Sequence, residues 1–269
     1  MRGEEGAVTA GESTAPPLFV QRSGTGPPVI LVHGGLPARV TWARQQVLAA
    51  RWSLIIPSRR GYAPNPAVPQ QDFLADADDL TELIVELPGG AHLVGFSYGG
   101  LGAAVAAGRR PHLVRSLTLI EVPLFVTAEE DQSVRELAAL ADRFAADADD
   151  AQAEREFHAM AGVGQKLPAG EEDDIRQAMR LWRDLRSPRE AKPRFEAIVE
   201  AHIPTLVVSG QHNTGLERLC DAVATELGAQ RAHIPGAGHA VARAPGFNTV
   251  LETFLTAAQR GRDNEEGTL

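Results

Sequence analysis

The chain has 269 residues, 43% of them hydrophobic, with a formal net charge of −9 and a pI near 5.4. That apolar fraction suffices for a sizeable buried core and is too high for a disordered chain. The acidic balance excludes nucleic acid and anionic lipid as expected partners, because the basic residues are almost all arginine and never run together with aromatics.

Residues 1–17 are rich in Gly, Glu, Thr and Pro and lack the apolar run of a signal peptide, so they are read as a flexible leader. Residues 16–24 are expected to supply an early antiparallel strand. Pro28–Val32 then reads as a buried strand, followed by His33-Gly34-Gly35, and Ser53–Pro57 as another, followed by Arg59-Arg60-Gly61-Tyr62. Residues 72–87 place Phe73, Ala77, Leu80 and Ile84 on one helical face. Ala91–Phe96 is a third apolar strand and 98–108 a small, Ala-rich helix suited to close packing. Residues 116–120, Thr205–Ser209 and 230–234 complete the strands. Continuous apolar strands, rather than alternating ones, imply a sheet covered on both faces. Their alternation with helices predicts an α/β fold, a doubly wound, mostly parallel sheet.

The alternation stops between 122 and 202. Val134, Leu137, Leu140 and Phe144 recur at helical spacing, as do Ile175, Met179, Trp182 and Leu185. The second helix opens with Glu171-Glu-Asp-Asp174, as the helix dipole favours. The expected organisation is a core of 18–121 and 203–260, a helical cap of 122–202 over the carboxyl ends of the strands, where open α/β sheets bind ligands, and a loose polar tail of 261–269. Trp182, Phe144, Phe157 and Met160 are read as cap core rather than pocket wall. Cys220, in the helical stretch 216–227, is read as a buried core residue. A single cysteine precludes an intramolecular disulfide and fits a reducing, cytoplasmic compartment. No run approaches ~18 consecutive apolar residues, so no membrane span is expected.

The chemistry centres on Gly95-Phe-Ser-Tyr-Gly99, which follows a strand and opens a helix. G-x-S-x-G in that setting places a serine, Ser97, on a sharp strained turn beside a helix N-terminus, where free N–H groups favour negative charge. His33-Gly34-Gly35 is the matching oxyanion loop: a backbone N–H near Gly35 and that of Tyr98 would hold a developing oxyanion, with His33 ordering the loop. Gly236-Ala-Gly-His239 puts a histidine on a glycine loop after the last strand, able to reach a serine held on another. Arg59 and Arg60 are read as solvated arginines of a turn. The histidines show no metal-ligand spacing.

The stretches LVHGG, PSRRGY, LVGFSYGG, LTLIEVP, TLVVSG and PGAGH, from Pro28 to Phe254, resemble the α/β-hydrolase superfamily, in its capped epoxide-hydrolase and haloalkane-dehalogenase-like branch. The resemblance implies that fold and a Ser-acid-His hydrolase. Serine at 97, where the named branch members use aspartate, disfavours epoxide-hydrolase and dehalogenase chemistry. The family's usual acid position, G-x-x-D after Thr205–Ser209, reads Gly210-Gln-His-Asn213 here, so Asn213 stands where an aspartate is expected. Some family members draw the acid from the end of the preceding core strand, and Glu121 stands there. A carboxylate after four apolar strand residues needs a partner, and His239 supplies one. Asn213 is the alternative; Glu217 and Asp221 fit a solvated helix face.

The expected activity is hydrolysis of a small-molecule ester or related acyl compound, without metal or organic cofactor. C–C hydrolysis, lyase or cyclase chemistry on the same scaffold stays open, as does a small-molecule-binding protein with an impaired triad. The substrate and the oligomeric state are not set by the sequence.

Overall fold

The computed structural model describes residues 17–70, 72–163 and 172–266. Outside them lie the expected leader up to residue 16, the 164–171 stretch of the expected cap with Glu171, and the last three residues of the tail.

Seven strands form one sheet: β1 (Val20–Ser23), β2 (Pro28–Val32), β3 (Ser53–Pro57), β4 (Ala91–Phe96), β5 (Val114–Ile120), β6 (Thr205–Ser209) and β7 (Gln230–His233), in the order β1-β3-β2-β4-β5-β6-β7. Only β1 is antiparallel, pairing with β3 at the edge. Nine α-helices accompany the strands among the described residues: α1 (Ala38–Thr41), α2 (Phe73–Val85), α3 (Tyr98–Arg109), α4 (Gln132–Ala146), α5 (Ala151–Met160), α6 (Glu172–Leu181), α7 (Phe195–Glu200), α8 (Thr214–Leu227) and α9 (Phe247–Glu266).

The apolar strands are covered on both sides because their side chains alternate between faces. Ile30, Val32, Leu93, Leu117 and Val207 point to a core shared with α2, α3 and α8; Cys220 lies in that core. Val29, Leu31, Val94, Leu206 and Val208 point to a second core closed by Trp42, Leu48, Phe247, Leu251 and Leu255. The helix α2 starts where Asp72 accepts the Leu74 N–H at 2.8 Å, and it buries Phe73, Ala77, Leu80 and Ile84.

The segment 122–202 holds α4 to α7 and no strand among the described residues. Its first helix packs on the start of α8 through Val134, Leu137, Leu216 and Leu219. Its last, α7, sends Phe195 and Ile198 into the core beside α3, so the core reaches further back than residue 203. At the other end, α9 runs on to Glu266, past the start of the expected loose tail at 261: Leu251 and Leu255 anchor the helix, and Gly261 weakens it without ending it. No described helix is long and apolar enough to cross a membrane.

The strand order reverses between β2 and β4. Ligand crevices in open parallel sheets form at such a point, outside the carboxyl ends of the strands. The loop after β2 carries His33-Gly34-Gly35, and the turn after β4 carries Ser97.

Candidate active site

Ser97 occupies the single residue between β4 and α3, with φ 50° and ψ −132°. A non-glycine residue holds such a conformation only when its surroundings over-determine it. The turn is locked by the Ser97 N–H, which donates to the Ile120 carbonyl at 2.8 Å, and by contacts that admit no side chain at its flanks. A Cβ on Gly99 would lie 2.0 Å from the His33 carbonyl oxygen, and one on Gly95 would lie 2.5 Å from the Gly100 Cα. The glycines of the motif are therefore what lets the loop after β2 and the helix α3 close on the serine.

The imidazole of His239 lies between Ser97 and Glu121, with Nε2 3.0 Å from Ser97 Oγ and Nδ1 2.6 Å from Glu121 Oε2. Glu121 follows β5 directly, is fully buried and holds φ 45°. Its Oε1 accepts the Gly210 N–H at 2.7 Å. Burial alone would raise this carboxyl, but hydrogen bonds from His212, His239 and Gly210 outweigh it and lower it to about 2. An ionised carboxylate only accepts, so His239 Nδ1 carries the proton and donates. Nε2 then presents its lone pair to the Ser97 hydroxyl. This tautomer can draw the proton from the serine as its oxygen attacks an electrophile.

Asn213 stands apart from this chain. Its Oδ1 caps α8 by accepting the Leu216 N–H at 3.0 Å. Glu217 accepts from Ser209 Oγ and Arg231, and Asp221 from Arg231.

Gly35 and Tyr98 line one cavity with Ser97 and His239. The Gly34 carbonyl is held from behind by Arg59 Nη1 at 3.0 Å and His33 Nδ1 at 3.1 Å. Because the peptide is trans and planar, the Gly35 N–H of the same unit is turned to the opposite side. Tyr98 opens α3, where the first-turn N–H groups lack helical partners. His33 is fully buried and accepts the Arg59 N–H on Nε2 at 2.9 Å; burial, reinforced by the Arg59 charge, lowers it to about 3, so it stays neutral.

The expectation of solvated arginines is corrected here. Arg59 is 2% exposed, pairs with the buried Asp76 at 2.8 Å and lies 4.8 Å from the Tyr98 ring centroid. Arg60 pairs with Asp79 at 2.6 Å. The missed signal was in α2: Asp76 sits on the stripe of Phe73, Ala77 and Leu80, and a carboxylate on a buried stripe requires a cation.

The cavity has a volume of about 380 Å3, within the range of small-molecule sites. Phe144, Phe157, Met160 and Trp182, read from sequence as cap core, form its wall, with Phe144 and Phe157 stacked at 4.2 Å. Trp182 Nε1 donates to the Gly35 carbonyl at 2.7 Å, and Tyr98 donates its hydroxyl to the Arg186 carbonyl at 2.9 Å. The helical segment is thus tied to the loop after β2 and to the start of α3, on either side of Ser97.

Glu121, His239 and His212 bring potential ligand atoms within 4.8 Å of one another. The 2.6 Å contact between Glu121 and His239 is a charge-assisted hydrogen bond that a cation would have to break, and we read the three as a hydrogen-bonded cluster. Sequence reasoning did not single out His212, whose loop position alone carries no signal.

A family profile described as alpha/beta hydrolase fold matches residues 27–241. Over 114 residues the chain is 39% identical to pimeloyl-(acyl-carrier protein) methyl ester esterase of Chromobacterium violaceum; the match covers 42% of this chain and 44% of that relative. The chain thus spans less than half the length of this curated relative. A solved N-acyl homoserine lactonase superposes with a TM-score of 0.69 at 22% identity, covering 92% of this chain and 95% of that one. A thermophilic esterase of Thermogutta terrifontis does so with a TM-score of 0.60 at 23% identity, covering 93% and 96%. At those identities the two structures speak for the fold, and with the profile spanning most of the sequence, the chain belongs to the alpha/beta hydrolase fold family.

Proposed function

We propose that the chain is a serine-dependent esterase acting on small-molecule esters, with Ser97 as nucleophile, His239 as base and Glu121 as the acid. The observation that carries this reading is the continuous hydrogen-bonded chain from Ser97 Oγ through His239 to a buried, ionised carboxylate. The partial match to a methyl ester esterase supports the same reaction class.

His239 Nε2 takes the Ser97 proton as Oγ adds to the ester carbonyl. The N–H groups of Gly35 and Tyr98 receive the oxyanion, and Glu121 stabilises the imidazolium. That imidazolium protonates the departing alcohol, leaving an acyl-serine. Water, deprotonated by His239, then releases the acid and restores the hydroxyl. The sequence draws on no metal or organic cofactor. The segment 122–202, apart from α7 at its end, acts as a cap whose aromatic wall lines the space for the acyl group.

Labelling with a fluorophosphonate probe tests this. Labelling of wild type that disappears in Ser97→Ala and in Glu121→Gln, but persists in Asn213→Ala, is the expected result. A folded wild-type chain that takes no label would sink the nucleophile assignment and leave a binding role.

A further inference from the structure

The carboxylate of Glu121 has a second imidazole beside it. His212 Nδ1 lies 3.4 Å from Glu121 Oε1, the oxygen that also accepts from Gly210, while Nε2 lies 3.0 Å from the carbonyl of Met160, the last residue of α5. The two neighbours are a carboxylate and a carbonyl, and both only accept. Neutral imidazole has one N–H. It would satisfy one neighbour and aim a lone pair at the other. Imidazolium has two, and it satisfies both.

The remaining groups around the ring agree. The His239 ring lies 5.8 Å away and is neutral when it accepts from Ser97. Glu217, itself paired with Arg231 at 2.9 Å and 3.4 Å from His233, adds negative charge from α8, while Arg218 and Asp221 of the same cavity are engaged with Asp131 and Arg231. Burial lowers His212, but the Glu121 and Glu217 carboxylates and the Met160 carbonyl outweigh it and hold it above the ordinary imidazole value.

We propose that His212 is a positioning residue, an imidazolium strap that ties the end of α5 to the carboxylate orienting His239, so that the helical segment and the proposed acid are held as one unit. Its part in catalysis rests on the esterase reading; its charge and its two contacts do not. The strap has two consequences. A positive charge beside Glu121 makes further protonation of the Glu121–His239 pair harder, which keeps the pair active to lower pH. A fastened α5 also keeps Phe157 and Met160 in the cavity wall.

The test pairs His212→Asn, which has a donor but no charge, with His212→Arg, which keeps the charge and offers donors to both acceptors. Ring nitrogen NMR of the full wild-type chain, assigned by the signal lost in His212→Asn, should show His212 doubly protonated at the pH where free imidazole is half titrated. A neutral ring there overturns the proposal, whether or not any ester is cleaved. In ester hydrolysis, His212→Asn should move the acid limb of kcat/KM up by about one pH unit and raise KM several-fold. His212→Arg should restore the wild-type limb. Equal losses in both variants at every pH, with no movement of the limb, would mark a merely structural contact and overturn the positioning role. A doubly protonated His212 in a chain that hydrolyses nothing would keep the strap and remove the esterase reading instead.

Discussion

Three serine–histidine contacts lie at or within this sheet among the described residues; Ser209 and His233, 3.3 Å apart, meet at the edge strand β7, and the other two make the contrast. At the carboxyl ends of the strands, His239 Nε2 meets Ser97 Oγ at 3.0 Å; within the sheet, His92 Nδ1 meets Ser116 Oγ at 2.8 Å, with Nε2 3.1 Å from Gln259 Oε1. In each the far nitrogen donates to an oxygen and the near one accepts from a hydroxyl, so the polarity of the chain is the same. The third member differs. Glu121 is an ionised carboxylate that can stabilise imidazolium; Gln259 is a neutral amide that cannot. Burial, helped by the charges of Arg115 and Arg262, lowers His92 to about 4 despite that hydrogen bond. Ser116 and His92 are both fully buried within β4 and β5, where the register shifts just before His92, whereas Ser97 stands on a strained turn that lines a cavity. A hydrogen-bonded Ser-His pair is thus no site in itself; a carboxylate, a strained turn and a cavity set one pair apart from the other.

The largest expected effect breaks the first pair. Ser97→Ala should abolish probe labelling and lower kcat for a simple ester by about 10⁶-fold, as loss of a nucleophile does elsewhere. Next comes the third member. Glu121→Gln should make the upper pair resemble the lower one and reduce kcat by about 10⁴-fold, because the amide can hold the ring but cannot offset its charge. Asn213→Ala is the control: it should leave kcat within a few-fold and cost about 1 kcal/mol of stability in chemical denaturation, since Asn213 caps α8.

What could be read in advance follows from how local each signal is. The strands β2 to β6 are mostly apolar runs between turn residues, and that pattern marks them as covered on both faces, although β4 and β5 also carry His92 and Ser116. The Ser97 turn is a five-residue pattern. Glu121 announces itself as a carboxylate at the end of an apolar strand. Arg59 gives no such notice. It looks like any turn arginine until α2 packs beneath it and brings Asp76 to 2.8 Å. Phe144 and Phe157 have the spacing of a helix core. Only the meeting of α4 and α5 over the strand ends turns them toward a cavity. His212 is a loop residue whose meaning depends on the Glu121 carboxylate, 91 positions earlier by subtraction of their numbers, and on the end of α5.

Acid sharpens the comparison from the other side. The unfolded chain protonates His92 near its ordinary 6.5, whereas the folded chain resists down to about 4. Between those values the unfolded state binds more protons, so stability is fully present above pH 6.5 and falls as the pH falls toward 4. The size is about 3 kcal/mol, at roughly 1.4 kcal/mol per unit. Urea unfolding across that window should show the decline, and His92→Gln should flatten part of it. The portion due to His33, lowered to about 3, should remain. An unchanged slope in His92→Gln would mean that His92 is protonated in the fold.

Ser116→Ala carries the smallest effect and the cleanest contrast. The substitution strips a buried lone pair of its donor, since Ser116 Oγ is the only hydrogen-bond partner found for His92 Nδ1 among the described residues. Leaving a buried acceptor unmet costs about 1–3 kcal/mol. Labelling by the probe and ester turnover should be untouched, because nothing in the lower pair reaches the cavity. Ser97→Ala is expected to do the reverse: its hydroxyl faces a cavity, and its removal leaves no hydrogen-bonded core behind. Two alanine substitutions in one sheet, each deleting one hydroxyl from one histidine, should therefore give opposite results. One should lose the label and keep the unfolding midpoint, and the other should keep the label and lose the midpoint. If Ser116→Ala also loses the label, the two pairs are coupled through the His92–Ser116 register of β4 and β5, and the separation drawn between them fails.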